Sequence, residues 1–342
     1  MLIDVFRQDA FSMLSMTAAV ERNPHIPTGI GALNIFDPMP VRTPTVAVEE
    51  RDGVLSLIPT SPRGGPGAQR TTEQRKMRNF NVPRLRQEDT IYASEIAGIR
   101  AFGEETEVMA AQSEVARRLY GSTGLLSNIE YTKEYMRLGA IQGILLDATG
   151  STIYDFFTEF DRAAAAEVDF DLDNASPTPG ALRNACTAIV RAMQRASGGA
   201  FLPTTRVHAL CGDTFYDQLI NHVDVRDTYK NWEAAADLRK DGAFRTFTFG
   251  GIDWTNYRGS DDGSTIAIAT TKAKFFPVGA PGVFQEVMAP HEAFDFVNTP
   301  GKPVYVRTIF DRDRDEWVKI EASAYPLFIC TRPDVLRSAR NT

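Results

Sequence analysis

The sequence predicts an α+β fold, and three observations carry that expectation. Apolar residues recur at helical spacing through about 104–142. From Gly242 onward they fall instead into short runs rich in Val, Ile, Thr, Phe and Tyr, broken by Gly, Pro and Asn, as antiparallel strands require. Between these regions and the N-terminus lies Thr45–Asp89, a stretch with strand-like residues but no core of its own. Helices gathered in the first half and sheet in the second define the class.

Phe11, Leu14 and Ala18 predict a short helix over 9–20 behind an Asp9 cap, ended by Pro24 and Pro27. Pro, Gly and Asn then dominate to Pro44, so residues 1–44 read as an extended arm. Next comes T-V-A-V-E-E-R-D-G-V-L-S-L-I-P, running into R-G-G-P-G, which predicts two strands turning either at Asp52-Gly53 or at Gly64–Gly67. An isolated pair of strands is at best marginally stable in water, so this arm needs a partner. Glu88-Asp89 is expected to start a helix.

Phe102, Met109 and Ala116 repeat every seven residues beside Val108, Val115 and Leu119, giving a helix over 104–120. Leu126, Ile129, Met136 and Leu138 predict a second over 125–142. G-I-L-L-D-A-T-G-S-T-I-Y-D-F-F then reads as a hairpin. Residues 161–180, acidic and then Pro-rich, mark a boundary. Leu182, Cys186, Ile189, Val190 and Met193 predict a helix over 178–196, stopped by Gly198-Gly199. V-H-A-L-C-G reads as a buried strand, and Asp213 as the cap of the following helix. The strand series is F-R-T-F-T-F, I-D-W-T-N-Y, T-I-A-I-A-T, F-F-P-V, V-F-Q-E-V and V-Y-V-R-T-I-F, closing with E-W-V-K-I-E-A-S-A-Y and P-L-F-I-C.

The chain's 342 residues suffice for a substantial core and about two domains. Its net charge of −7 disfavours general coating of nucleic acid. Cys186, Cys211 and Cys330 are odd in number and widely spaced, and read as buried hydrophobes in a reducing compartment. Asp4 and Asp9 fall where a signal peptide would be basic and then apolar, and no run approaches the eighteen or so apolar residues of a membrane span. A cytosolic protein is expected.

Motifs for chemistry are weak. Thr28-Gly-Ile-Gly31 lacks the third glycine and the βαβ unit of a dinucleotide site. Asp311-Arg-Asp313-Arg-Asp315-Glu316 has the alternating carboxylates of a calcium loop, but Glu316 stands where the glycine belongs, so an exposed hairpin tip is expected. Asp169, Asp171 and Asp173 read as a solvated loop. His25, His208, His222 and His291 are scattered, with His208 expected as a hydrogen-bonded core residue. Neither nucleophile nor base stands out, so no enzyme, cofactor or metal is expected. Seven basic residues, Arg63, Arg70, Arg75, Lys76, Arg78, Arg84 and Arg86, face only Glu73, Glu88 and Asp89 locally. This run either binds nucleic acid or meets acidic surface on a neighbouring subunit, and self-complementary charge favours the second.

The chain resembles the major capsid (head) proteins of lambda-like tailed bacteriophages, the major capsid protein E family. G-I-G-A-L-N-I-F-D-P, V-E-E-R-D-G-V-L-S-L-I-P-T-S-P-R-G-G-P-G, E-Y-M-R-L-G-A-I-Q-G-I-L-L-D, G-I-D-W-T-N-Y-R-G, F-P-V-G-A-P-G-V-F-Q-E-V-M-A-P and I-E-A-S-A-Y-P-L-F-I-C-T-R-P-D-V-L carry the likeness. It implies the Hong Kong 97-type capsid fold. The N-arm is then placed at 1–44, the E-loop at 45–88, the peripheral (P) domain with its spine helix at 89–205 and 283–342, and the axial (A) domain at 206–282. It further implies contacts between copies through the E-loop residues Val54, Leu55, Leu57, Ile58, Arg63, Gly64, Gly65, Arg75, Lys76 and Arg78, and through Ile30, Leu33, Ile35 and Phe36 of the N-arm. The implied function is a structural subunit that self-assembles into an icosahedral shell of pentamers and hexamers around double-stranded DNA. Expected partners are a separate scaffolding protein, a portal, a decoration protein and loosely held DNA, with no membrane. A Lys–Asn crosslink is not expected, since Lys76 is the E-loop's only lysine and no Asn and Glu partners are identifiable by spacing.

Overall fold

The structure, a computed structural model, describes residues 29–52, 74–97, 107–121, 124–174, 176–230, 246–257, 259 and 266–341. The helix expected over 9–20 and the tip of the 45–89 arm lie outside these residues.

The organising element is a helix, α3 (Leu125–Gln142), for which Gly124 and Gly143 mark the ends. Gly143 adopts a φ of 83° and donates to the last-turn carbonyls of Gly139 and Ala140. A Cβ there would stand 2.3 Å from the Phe157 ring, so only glycine serves. The preceding helices are α1 (Ala93–Ala97) and α2 (Glu107–Tyr120). One side of α3 presents Leu125 and Ile129 to a three-stranded sheet of order β13–β14–β4: β13 (Tyr305–Phe310), β14 (Trp317–Ala324) and β4 (Leu85–Tyr92). Val115 and Leu119 of α2 join that layer over Ile91, Val306, Val318 and Ile320. Further along α3, Met136, Leu138, Ala140 and Ile141 enter the largest core. That core also takes in β5 (Ile144–Leu146), paired with β6 (Thr152–Asp155) and followed by α4 (Phe156–Glu159).

A second three-stranded sheet packs on α3 through β15 (Pro326–Cys330), with β12 (Phe284–Met288) central and β1 (Asp37–Pro40) at its edge. A separate core lies on one face of a six-stranded sheet of order β7–β16–β11–β8–β10–β9. Its strands are β7 (Val168–Asp169), β8 (Arg206–Cys211), β9 (Phe247–Phe249), β10 (Ile252–Asn256), β11 (Lys272–Val278) and β16 (Arg337–Arg340). Because side chains alternate along a strand, Val207, Ala209 and Cys211 of β8 meet helix α5 (Ala181–Ala196) and helix α6 (Asp213–Asn221). Leu210 faces the other way, into the α3 core, as does Phe276 of β11. A short helix α7 (Val223–Lys230) follows α6.

Three local expectations are corrected. Glu88-Asp89 starts no helix: both lie inside β4, in register with Glu321 and Ile320 of β14. Their charges are answered from afar, Glu88 by Lys319 at 2.7 Å and Asp89 by Arg118 at 2.8 Å. T-I-A-I-A-T forms no strand over its described residues; Ile266 and Ile268 are buried but join no ladder. Asp213 is the first helical residue rather than the cap, which is Gly212, and its carboxylate accepts from Asn256 at 2.8 Å. Two of the sheets are also mixed, since β8 with β10, β7 with β16, and β1 with β12 run parallel.

One ion cluster fastens α2 to β4. Arg117 and Arg118 hydrogen-bond the buried Glu114 at 2.6 and 2.7 Å, and Arg118 continues to Asp89 and Glu95. Hydrogen bonds from Arg117 and then Arg118 outweigh burial and hold the Glu114 carboxyl down at about 2. A folded-state pKa below the unfolded one gives stability that is complete above about pH 4.5 and lost as pH falls towards about 2. Glu114→Gln is therefore expected to flatten the decline in melting temperature across that window. The difference should be on the order of 1–2 kcal/mol at pH 6, since Arg117 is largely exposed and water screens its share. Parallel melting-temperature profiles for the two proteins would contradict it.

Candidate functional site

The arm predicted over 45–89 is present at its base. β2 (Thr45–Asp52) and β3 (Gln74–Asn81) pair antiparallel from Thr45↔Asn81 to Asp52↔Gln74. The partners Val46 and Phe80 are both buried. The Phe80 ring lies 5.2 Å from Tyr154, 5.9 Å from Phe160 and 6.4 Å from Phe156. Tyr154 also accepts from the Asn81 amide and donates to its carbonyl, at 2.8 and 3.0 Å. Aromatic packing and these two bonds clamp the root to the β5–β6 hairpin. Outward along β3 the character changes: Met77 is 69% exposed and the Lys76 side chain 54%.

The basic run splits into segments with different surroundings. Arg78 stacks 5.2 Å over Phe160, donates to the Glu159 carbonyl and pairs with Asp161 at 2.8 Å. Lys76 reaches the same carboxylate at 3.3 Å. Arg84 pairs with Glu292 at 3.0 Å, and Arg86 with the buried Glu321. Glu321 is further approached by Arg307 at 3.0 Å and by His291 at 3.9 Å. Acidic groups of the same chain thus answer Lys76, Arg78, Arg84 and Arg86. Val54, Leu55, Leu57, Ile58, Arg63, Gly64 and Gly65 lie outside the described residues, as does the side chain of Arg75.

The other site residues, Ile30, Leu33, Ile35 and Phe36, are not spread over a surface. Ile30, Ile35 and Phe36 are buried in the chain's own largest core, with Leu33 packed against it. The Phe36 ring meets Phe328 at 5.1 Å and Phe284 at 5.3 Å. Their position is fixed by a residue that the apolar pattern did not single out. The buried carboxylate of Glu134, on α3, accepts from the backbone amides of Ile30 at 2.6 Å and Gly31 at 3.2 Å. It also accepts from the Tyr257 hydroxyl at 3.2 Å and lies 3.6 Å from Arg137. Burial, and then the Glu134 charge, keep the Tyr257 hydroxyl protonated well above its usual range. The available signal was the spacing of Glu130, Lys133, Glu134 and Arg137, four charges at i, i+3, i+4 and i+7 on one helix face.

Groups suited to chemistry are occupied structurally. Burial raises the thiols of Cys186 and Cys330 to about 12 and that of Cys211 well beyond the usual cysteine range, which leaves them poor nucleophiles. His208 is buried, with Phe276 at 5.5 Å, and burial lowers its pKa. Among the described residues its Nε2 has no hydrogen-bond partner. Asp311 accepts from the amides of Asp313, Arg314 and Glu316 at 3.0–3.3 Å, bracing the β13–β14 hairpin loop. Asp169 accepts from the Asp171 amide and pairs with Arg340. Among the described residues, no three His, Cys, Asp or Glu side chains gather as a metal site, and no helix is long and apolar enough to cross a membrane.

Comparison with known proteins extends these observations over the whole chain. It is 25% identical to the major capsid protein of Salmonella phage Felix O1 and 25% identical to that of Pseudomonas phage KPP10, each match covering 96% of both chains. Among solved structures, the capsid of cyanophage P-SCSP1u superposes with a TM-score of 0.51 at 12% identity, covering 94% of this chain and 90% of that one. The capsid of cyanophage A-1(L) gives 0.51 at 13% identity over 94% of each chain. These likenesses establish the Hong Kong 97-type α+β capsid fold expected from the sequence. The family model for phage major capsid protein E matches residues 12–341, and the chain belongs to that family.

Proposed function

We propose that this protein is the major structural subunit of a tailed-phage head, many copies of which close into an icosahedral shell around double-stranded DNA. The observation that carries the assembly role is the arm. Its root is locked into its own subunit by Phe80 and Val46, whereas Met77 and Lys76 farther out are exposed. Such a lever, fixed at one end, suits contact with a neighbouring copy. Shell stability then comes from many modest contacts made at once. Residues 45–88 serve as the E-loop and residues 1–44 as the N-arm. Within the N-arm, Ile30, Ile35 and Phe36 act as the anchor to their own subunit, leaving contacts between copies to other residues.

The axial unit is best taken as the body organised by the six-stranded sheet. It comprises residues 206–282 together with α5, β7 and β16, which share its core. The remainder, around α3, forms the peripheral unit. The role is architectural rather than catalytic. A net charge of −7 suits a container whose wall should hold packaged DNA only loosely. The subunit is part of the virion and is assembled in the host cytoplasm. A separate scaffolding protein, a portal and a decoration protein are its partners besides copies of itself.

Electron microscopy of the purified protein, concentrated and supplied with its scaffolding protein, tests the reading. Closed shells of uniform diameter are expected. Subunits that stay monomeric under those conditions would overturn it.

A further inference from the structure

Between β12 and β13 the chain makes a tight turn, residues 291–301, beside the place where the arm joins the body. Val41, just before β2, and Val82, just after β3, pack against a small core that includes Phe296 and Tyr305. The Gly301 amide donates to the Val41 carbonyl at 2.9 Å, and Glu292 pairs with Arg84 at 3.0 Å. Within the turn, the amides of Phe296, Val297 and Thr299 each donate to the carbonyl three residues back, at 3.0–3.3 Å. Phe294 at the crest is 98% exposed, so the turn is held from its ends.

The residue that opens the turn is His291, which is buried. Its Nδ1 accepts from the Ala293 amide at 2.8 Å, the same i to i+2 bond that an Asn or Asp side chain makes in an Asx turn. A ring nitrogen that accepts carries no proton, so the neutral ring keeps its proton on Nε2. That Nε2 lies 3.9 Å from Glu321 Oε1, which accepts no hydrogen bond among the described residues. Facing the ring are Arg307 and Tyr305 of β13, Glu321 of β14, Arg86 of β4, Tyr325 ahead of β15, and the adjoining Glu292. Glu321 is already shared by Arg86 and Arg307, and Glu292 is taken by Arg84.

We propose that His291 is an acid-released latch on the arm's attachment: the neutral ring holds the turn, and a proton on Nδ1 sets a second donor against the Ala293 N–H. Two donors head to head cannot bond, so the turn opens at its first residue and loosens its hold on Val41 and Arg84. Burial, and then the Arg307 charge, keep the imidazole below the usual histidine range. A group depressed in the folded state stabilises while it is neutral. The hold is therefore complete above about pH 6.5 and lost as pH falls through the folded value. The latch belongs to the single subunit and does not require the shell-forming role.

Amide exchange of the unassembled, full-length subunit tests it. Protection of the Ala293, Phe296 and Gly301 amides, corrected for the intrinsic pH dependence of exchange, should fall about tenfold or more between about pH 7.5 and about pH 4.5. Amides in β15 should keep theirs. His291→Asn supplies an acceptor for the same bond that does not titrate, and its protection should stay level over that range. Wild-type protection that stays level would overturn the latch, and so would a parallel loss in His291→Asn. Nitrogen chemical shifts of the wild-type ring give a second measure. His291 should be the neutral Nε2-protonated tautomer at about pH 7.5 and take up its proton with the same midpoint as the loss of protection. A ring already doubly protonated at that pH, or one that titrates with no change in exchange, would refute it.

Discussion

A subunit in which Asn-Gly replaces residues 53–73 is expected to fold normally and to form no stable shells. Asp52 and Gln74 are register partners at the last described rung of β2–β3, so a two-residue turn can close the ladder there. The root survives this excision, because Val46 and Phe80 lie below it. A cut taken back to residue 82 would remove Phe80, which has no solvent exposure, and would damage the fold as well as the arm. Stability by denaturant titration should therefore stay within about 1 kcal/mol of the full-length chain. The loss falls on assembly. Burying Val54, Leu55, Leu57 and Ile58 on a neighbour would contribute several kcal/mol per arm at roughly 25 cal/mol per Å², before ordering costs. Sedimentation and electron microscopy read the outcome, and shells of normal yield would remove the arm from the assembly mechanism. Leu55→Ser with Ile58→Ser, at unchanged length, should weaken assembly in the same direction.

The second large effect is expected at Glu134. Its buried carboxylate meets two amides of the N-terminal segment, the Tyr257 hydroxyl and Arg137, with only the Gly31 bond part-buried. Glu134→Gln keeps the shape but replaces the charged acceptor with an amide that must also place two N–H donors. Breaking one partner of a buried charged network costs about 3–5 kcal/mol. Tyr257→Phe removes a single bond and should cost only ~1 kcal/mol. Beyond global stability, amide exchange at Ile30 and Gly31 should accelerate in Glu134→Gln more than elsewhere, because those amides lose a charged acceptor. A loss under 1 kcal/mol with unchanged exchange would show that the apolar anchors alone hold the segment.

How much of this was legible in the sequence depended on whether the responsible forces were local. Helix α3 was read at its true bounds, because Leu and Ile at helical spacing lie between Gly124 and Gly143. The β5–β6 hairpin and β8 were likewise visible in short apolar runs next to Gly or a turn. β4 was misread because Glu88 and Asp89 are answered by Lys319 and Arg118, and no local rule brings those residues alongside. β16, R-S-A-R, has Ala339 as its one apolar residue and becomes a strand through its neighbours β11 and β7. The site residues followed the same division. An arm lacking its own core could be recognised from Thr45–Asp89, but the burial of Ile30, Ile35 and Phe36 within their own subunit could not. The carboxylate that takes the amides of that segment belongs to Glu134, an ordinary charged helix residue until folding places residues 30, 31 and 257 around it.

The place of β16 inside the six-stranded sheet, between β11 and β7, sets a timetable for the newborn chain. β7 was made long before, yet among the described residues its only ladder partner in that sheet is the strand at 337–340. Synthesis runs from the N-terminus, so β7 and the outer flank of β11 must wait, unpaired, until residue 340 clears the ribosome. The six-stranded sheet therefore closes only after residues 337–340 have been made. A chain stopped before those residues has no β16 to join β7 to β11.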